Sequence, residues 1–171
     1  MDDNDRIDAL VGQWAQQRPD VDREAMALLA RLSRAAELVN ERTERLSQEY
    51  GVSKGDGDVV FALRRSGAPY RLSPTALARA LLMTTGTMTG RLDRLEKRGL
   101  IARVPDPGDR RRLEIQLTEE GLRIADEAVT KHDANLREVA GGMTEADRAE
   151  LDRLTRMIIT QLGSSGAARP V

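Results

Sequence analysis

Arginines make up 24 of the 27 basic side chains of this chain, and 11 of them lie within residues 61–113. Residues 61–113 carry 12 basic and 4 acidic side chains, whereas the flanking segments 1–60 and 114–171 are both net acidic. A basic surface of this size attracts phosphate groups, and acidic flanks disfavour other binding orientations. The distribution therefore indicates a nucleic-acid partner, although on charge alone an ordinary solvated segment explains it equally well.

The residues that most enzymes and metal sites need are scarce. The chain has no cysteine, which excludes disulfides and thiolate metal ligands, and its single histidine, His132, cannot build a metal site alone. There is no glycine-rich phosphate loop and no carboxylate pair at an informative spacing, so catalysis is not expected. We expect neither a cofactor nor a metal. His132 is interpreted as a packed or interface residue, with pH sensing as the alternative.

The basic segment contains a predicted helix-turn-helix. Ser73-Pro74 starts a short helix, and a second helix, here called the recognition helix, begins at Thr84 and ends before Gly99. Met88, Leu92 and Leu95 form its apolar face, and the opposite arc is free to enter a major groove. The residues predicted to contact DNA there are Thr84, Thr85, Gly86, Thr87, Gly90, Arg94 and Lys97. An ordinary amphipathic helix is the alternative for this segment alone.

A basic hairpin follows the recognition helix. Residues 101–104 and 113–117 are predicted strands, and residues 105–109 form the turn between them. Arg110, Arg111 and Arg112 lie beside this turn, and arginine is favoured in the minor groove by its negative potential. The hairpin is therefore predicted to be a wing that binds DNA. A protein-interaction module would not need it, although a solvated turn remains the alternative.

The remaining pattern is helical. Apolar residues at helical spacing predict helices over about 5–17, 21–50, 54–65, 119–140 and 144–162, and the segment 163–171 is expected to be a flexible tail. No apolar run reaches the roughly 18 residues that a membrane span needs. The N-terminus lacks a signal-peptide core, so we expect a cytoplasmic protein without a membrane partner. The predicted fold class is mainly α with a small β-hairpin wing.

These motifs together resemble the MarR family of bacterial regulators. The resemblance rests on the run Leu95–Leu100 closing the recognition helix, on Asp109-Arg110-Arg111, and on Leu117-Thr118 with Gly121. It covers residues 21–162 and implies a winged helix-turn-helix, with a DNA-binding lobe over about 54–118 and an additional N-terminal helix in residues 1–20. It also implies that Asp109 pairs with Arg111 to stiffen the wing. Gly90 departs from the family pattern, since many members carry a larger side chain there.

The resemblance further implies a homodimer. In the family, the first long helix and the last two helices intertwine with those of a second copy, which here means residues of about 21–50 and 119–162. A two-fold dimer reads a pseudo-palindromic double-stranded operator with half-sites about 10 base pairs apart. Repression is the commoner habit of the family, so we expect a repressor.

Four further residues resemble the urate-responsive, PecS-like subgroup of that family: Trp14, Asp58, Arg91 and Arg103. Arg91 lies on the inner flank of the recognition helix, where a guanidinium needs an anion. The resemblance implies that a small anionic ligand, urate or a related purine, pairs with Arg91 and displaces Asp58 from Arg103. The alternatives are a structural Asp58–Arg103 ion pair with a merely packed Trp14, a different organic or aromatic acid or antibiotic as ligand, or a ligand-independent DNA-binding or interaction module.

Overall fold

A computed structural model of the chain describes residues 2–109 and 111–166. It contains seven helices and three strands within that range. The helices are α1 Asp3–Gln17, α2 Arg23–Glu49, α3 Lys54–Arg65, α4 Pro74–Ala80, α5 Thr85–Lys97, α6 Glu119–Gly141 and α7 Glu145–Gly166. The strands are β1 Arg71–Leu72, β2 Ile101–Pro105 and β3 Leu113–Leu117. The predicted fold class, mainly α with a β-hairpin, is confirmed.

Side-chain caps fix where the helices of the DNA-binding lobe begin. Ser53, Ser73 and Thr84 each accept a hydrogen bond from a backbone N–H three residues further on, at the starts of α3, α4 and α5. Such caps satisfy donors that have no partner inside the helix. The turn between α4 and α5 passes through Leu82, which has a φ of 51° and is almost fully exposed. Gly99 ends the recognition helix α5 with a φ of 72°.

The three strands form an antiparallel sheet in the order β1-β3-β2. The register pairs Ile101 with Leu117 and Pro105 with Leu113, and β1 adds Arg71 opposite Gln116. The hairpin agrees with the sequence prediction, whereas no sequence pattern predicts β1. A two-residue strand carries too few positions to show an alternating pattern.

The chain divides into two compact units, residues 1–129 and 130–171. The core of the first unit lies beneath the recognition helix, and its largest fully buried side chains come from α3, α4, α5 and the hairpin: Val59, Leu63, Leu77, Met88, Leu95, Ile101 and Ile115. α6 starts against this core so closely that a Cβ on Gly121 would overlap the carbonyl oxygen of Leu100. The packing of α5 on this core therefore fixes which of its faces reaches solvent.

α1 packs on α2 in the same unit. Ile7 is buried between them, and Arg34 and Arg31 on α2 pair with Asp3 and Asp8 on α1. The capping box of α1 starts the helix at Asp3, two residues earlier than the predicted start.

The second unit contains the end of α6 and all of α7. Thr144 and Asp147 bond reciprocally at the start of α7, and Thr144 is where the last helix is predicted to begin. α7 continues through Gly166, four residues beyond the predicted end of the last helix at residue 162, and residues 167–171 of the predicted flexible tail lie outside the described range. No helix in the described part of the chain is long and apolar enough to cross a membrane.

Candidate nucleic-acid interface

The recognition helix α5 has the two faces that its sequence predicts. Met88, Leu92 and Leu95 are at most 3% exposed, so the apolar face is seated on the core. On the other arc, Thr84, Gly86, Thr87 and Lys97 are exposed and Gly90 is half-buried. For Thr85 the structure describes only the backbone, which begins the helix. The exposed arc is thus a continuous polar surface with two glycines in it.

Two of the predicted DNA-contacting threonines also build the start of α5. The backbone N–H of Thr87 donates to the Thr84 hydroxyl oxygen at 3.3 Å, and the two hydroxyl oxygens lie 3.0 Å apart. Both side chains remain exposed. The cap therefore fixes the direction of these hydroxyls without burying them, and hydroxyls in this position suit phosphate and base edges.

Arg94 is exposed on the polar arc, but it is held from behind by an acid that the sequence reasoning missed. Its Nη2 and Nε donate to Oδ1 and Oδ2 of Asp56 on α3, at 2.7 and 3.0 Å. The side chain of Asp56 is 7% exposed and that of Arg94 58%. The hydrogen bond to Asp56 raises the pKa of Arg94 above its ordinary value, so the guanidinium stays charged. The signal was available, because Asp56 falls on the same helical stripe as Val59, Val60 and Leu63.

Arg103 on β2 is held by the recognition helix and not by Asp58. Its guanidinium donates to the carboxylates of Asp93 and Glu96, which follow one another by one turn on α5. The hydrogen bond to Asp93, with the nearby charge of Glu96, raises the pKa of Arg103 above its ordinary value. Asp58 instead lies 3.6 Å from Nζ of Lys54, one turn earlier on α3. The predicted Asp58–Arg103 pair is therefore wrong.

Arg91 is half-buried, as predicted from its position on the inner flank of α5. It donates to the backbone carbonyl of Gly55 in the first turn of α3. Asp58 follows Gly55 by three residues along α3. The structure thus brings Arg91 and the first turns of α3 together, and it links Arg103 to the other side of the recognition helix.

Trp14 lies in a different place. It is about half exposed on α1, where it lines an apolar groove of about 280 Å³ with Ile7, Leu10, Val11, Met26 and Ala30. Asp58, Arg91 and Arg103 are not among the residues lining this groove. The joint role of these four residues in binding a ligand stays a prediction.

Asp109 in the turn of the wing bonds two of the residues that follow it. Oδ1 of Asp109 accepts from the backbone N–H of Arg111 at 3.1 Å, and Oδ2 lies 3.5 Å from Nε of Arg112. Asp109 thus bonds the backbone of Arg111, the residue expected to pair with it, and its side-chain ion pair is with Arg112. The Arg112 side chain is 77% exposed. Arg110 lies outside the described residues.

Comparison with known proteins identifies relatives over most of the chain. A profile described as the MarR family matches residues 50–112, from α3 to the wing. The HTH-type transcriptional regulator PecS of Dickeya dadantii is 37% identical over 148 residues, which cover 86% of this chain and 89% of PecS. The multiple antibiotic resistance protein MarR of Salmonella typhimurium is 28% identical over 133 residues, covering 75% and 90%.

Solved structures agree with these relatives. AbsC, a MarR family transcriptional regulator from Streptomyces coelicolor, superposes with a TM-score of 0.71 at 25% identity, covering 84% of this chain and 97% of AbsC. A mutant MarR from E. coli complexed with operator DNA superposes with a TM-score of 0.60 at 24% identity, covering 85% and 96%. The helix-turn-helix and hairpin described above therefore belong to a winged-helix fold.

Proposed function

The chain belongs to the MarR family of DNA-binding transcriptional regulators, and on that premise we propose that it is a homodimeric repressor of a pseudo-palindromic operator. The observation that carries this proposal is the recognition helix itself, whose apolar face is buried while an arc of threonines, glycines and Lys97 is exposed. That arc enters the major groove, where its contacts are made by Thr84, Thr85, Gly86, Thr87, Gly90, Arg94 and Lys97. The wing arginines Arg110, Arg111 and Arg112 reach the adjacent minor groove.

The exposed apolar residues of α6 and α7 support the dimer. Within the second unit, these side chains are between 41% and 69% exposed: Leu136, Val139, Leu151, Met157, Ile159 and Leu162. Large apolar side chains exposed along two successive helices are what an intertwined dimer interface would cover. In a two-fold dimer the two recognition helices would lie about 34 Å apart, one turn of DNA.

A small anionic ligand is the second part of the proposal. Urate or a related purine would pair with Arg91, whose bond to Gly55 is made to a neutral carbonyl and does not balance its charge. The resemblance of Trp14, Arg91 and Arg103 to the urate-responsive subgroup supports a ligand of this kind, and Asp58 lies within a turn of the same region of α3. Because Arg91 lies on the recognition helix, a ligand that draws it away from α3 would change the position of that helix. A different organic acid or antibiotic is the alternative ligand.

DNA binding is tested by fluorescence anisotropy with promoter DNA taken from beside the gene. Because phosphate contacts release counterions, log K should fall linearly with log salt, and 6 to 10 contacts would weaken binding by about 10³ to 10⁵-fold between 50 and 200 mM salt. Cross-linking and analytical ultracentrifugation should report two chains per operator. A protein that does not bind DNA, or binds it as a monomer without salt dependence, would contradict the proposal.

The ligand is tested by calorimetric titration of urate and related purines into the free protein. Arg91→Ala should lose this binding, whereas Arg18→Ala, which removes an exposed arginine paired with Asp20 beyond the end of α1, should retain it. Urate that binds Arg91→Ala as tightly as the unaltered protein would place the ligand elsewhere. Urate that binds neither protein would favour another anion.

A further inference from the structure

Asp56 is an acid in a place where acids are rarely found. It is 5% exposed, and it lies on the stripe of α3 that buries Val59, Val60 and Leu63 in the core. A carboxylate removed from water in this way is costly unless a cation and good hydrogen bonds compensate it. Here that cation is Arg94 from the recognition helix, bound by two nearly parallel hydrogen bonds at 2.7 and 3.0 Å.

The geometry of this pair leaves one edge of the arginine available. Asp56 takes the Nε and one Nη2 donor, and a guanidinium has five donors in a rigid planar fork. The Nη1 group lies over Gly90, 3.6 Å from where a Cβ of that residue would be. Since the Arg94 side chain is 58% exposed, the edge opposite Asp56 faces the solvent side of the recognition helix.

A second contact fixes the same two helices beside the first. Arg91, one turn before Arg94, donates to the carbonyl of Gly55, the residue next to Asp56. A Cβ at Gly55 would lie 2.5 Å from the Arg91 guanidinium, so the close approach depends on a glycine there. Two consecutive residues of α3 thus accept hydrogen bonds from two arginines of α5. These bonds restrain the rotation of the recognition helix about its axis.

We propose that Asp56 is a positioning residue for DNA recognition, which holds Arg94 in one conformation so that its outward edge meets a backbone phosphate of the operator. This inference rests on the proposed function. An unpaired arginine samples many rotamers and must lose that freedom on binding, whereas the Asp56-bound side chain is already ordered. The bidentate pair also keeps the arginine planar and in one place, which a point charge would not require.

When Asp56 is removed, positioning and simple electrostatics predict opposite changes in the affinity for DNA. Asp56 is a negative charge close to the proposed DNA surface, so removing it should tighten binding to any duplex if charge alone matters. If Asp56 positions Arg94 on a phosphate, its removal should instead weaken binding to the operator and to a scrambled duplex alike, because phosphate contacts carry no sequence information. The sign of the change in affinity therefore distinguishes positioning from charge.

The experiment compares Asp56→Asn, Arg94→Ala and the double variant by fluorescence anisotropy on operator and scrambled duplexes at several salt concentrations. Asp56→Asn should weaken operator binding by about tenfold, which is the scale of one ordered contact. Arg94→Ala should weaken it at least as much and lower the salt slope by about 1. In the double variant, Asp56→Asn should add nothing to Arg94→Ala. The control is Asp126→Asn, which removes a carboxylate paired with Arg64 instead and should not weaken binding to either duplex.

Several results would overturn the inference. Operator binding by Asp56→Asn that equals or exceeds that of the unaltered protein would show that Asp56 acts only as a charge. If Asp56→Asn weakens operator binding in the Arg94→Ala background by as much as it does alone, then Asp56 acts through the fold and not through Arg94. If Asp56→Asn does not fold, Arg94→Lys decides the question: it keeps the charge and loses the fork, and unaltered operator affinity would refute positioning. Failure of the unaltered protein to bind any duplex would instead refute the proposed function.

Discussion

Gly90 lies in the interior of the recognition helix, where alanine is the better helix former. Glycine costs about 1 kcal/mol relative to alanine at such positions, because the unfolded chain loses more conformational freedom when it orders. A Cβ at this position would meet nothing closer than Nη1 of Arg94 at 3.6 Å, which is an ordinary van der Waals contact. Nothing in the protein itself therefore requires a glycine, and Gly90→Ala should stabilise the fold.

The expected gain is about 1 kcal/mol, which for a chain of this size raises Tm by about 2–4 °C. Operator binding should move in the other direction. Gly90 lies on the arc that we propose enters the major groove, and an added methyl group would hold the helix backbone away from the DNA. We expect operator affinity to fall by about tenfold, the equivalent of one lost contact.

The assay pairs thermal unfolding at a fixed protein concentration with operator anisotropy. The matched control is Gly12→Ala, since Gly12 lies within helix α1 and a Cβ there would meet nothing within 4 Å. The control should gain stability without a change in operator binding. A Gly90→Ala protein that is more stable and binds the operator as well as before would refute close approach as the reason for the glycine. A Gly90→Ala protein that is less stable than the unaltered protein would contradict the gain expected from helix propensity.

Two further predictions concern the first unit. Gly121→Ala would push a Cβ into the backbone carbonyl of Leu100, so we expect it to destabilise the protein by roughly 1–3 kcal/mol in urea unfolding; a stability equal to that of the unaltered protein would contradict this. The Arg34 hydrogen bond holds the pKa of Asp3 below its ordinary value, so this pair stabilises α1 on α2 at neutral pH and is lost only as the pH falls below about 4. Fluorescence of Trp14 should stay constant down to that pH and change below it, and Asp3→Asn should already show the change at neutral pH; identical titrations of the two proteins would refute the assignment.

Much of the architecture could be predicted because its signals are local. The Thr84 cap marks where helix α5 begins, and Gly99 marks where it ends. Its buried positions, Met88, Leu92 and Leu95, follow directly from helical spacing. Capping and periodicity are properties of neighbouring residues, so they can be recognised without knowledge of the rest of the fold. The helix-turn-helix and its hairpin were predicted for this reason.

The choice of ionic partners could not be predicted in the same way. Asp58 was expected to pair with Arg103, yet Lys54 lies one turn from it on the same helix, and Asp93 and Glu96 lie opposite Arg103 on α5. Several acidic residues could pair with each arginine, and which ion pair forms depends on how the helices and strands cross. Spacing along the chain does not contain that information.

By itself, the sequence determined the order of the elements, the buried face of the recognition helix and the concentration of positive charge in the middle of the chain. Only the tertiary structure decided that Arg94 is held by Asp56, that Arg91 reaches Gly55, and that Trp14 lines its own groove on α1. The physical reason is that hydrophobic periodicity and capping act within a few residues, whereas an ion pair forms between atoms brought together by packing. Here that packing joins two helices whose paired residues, Asp56 and Arg94, are 38 positions apart.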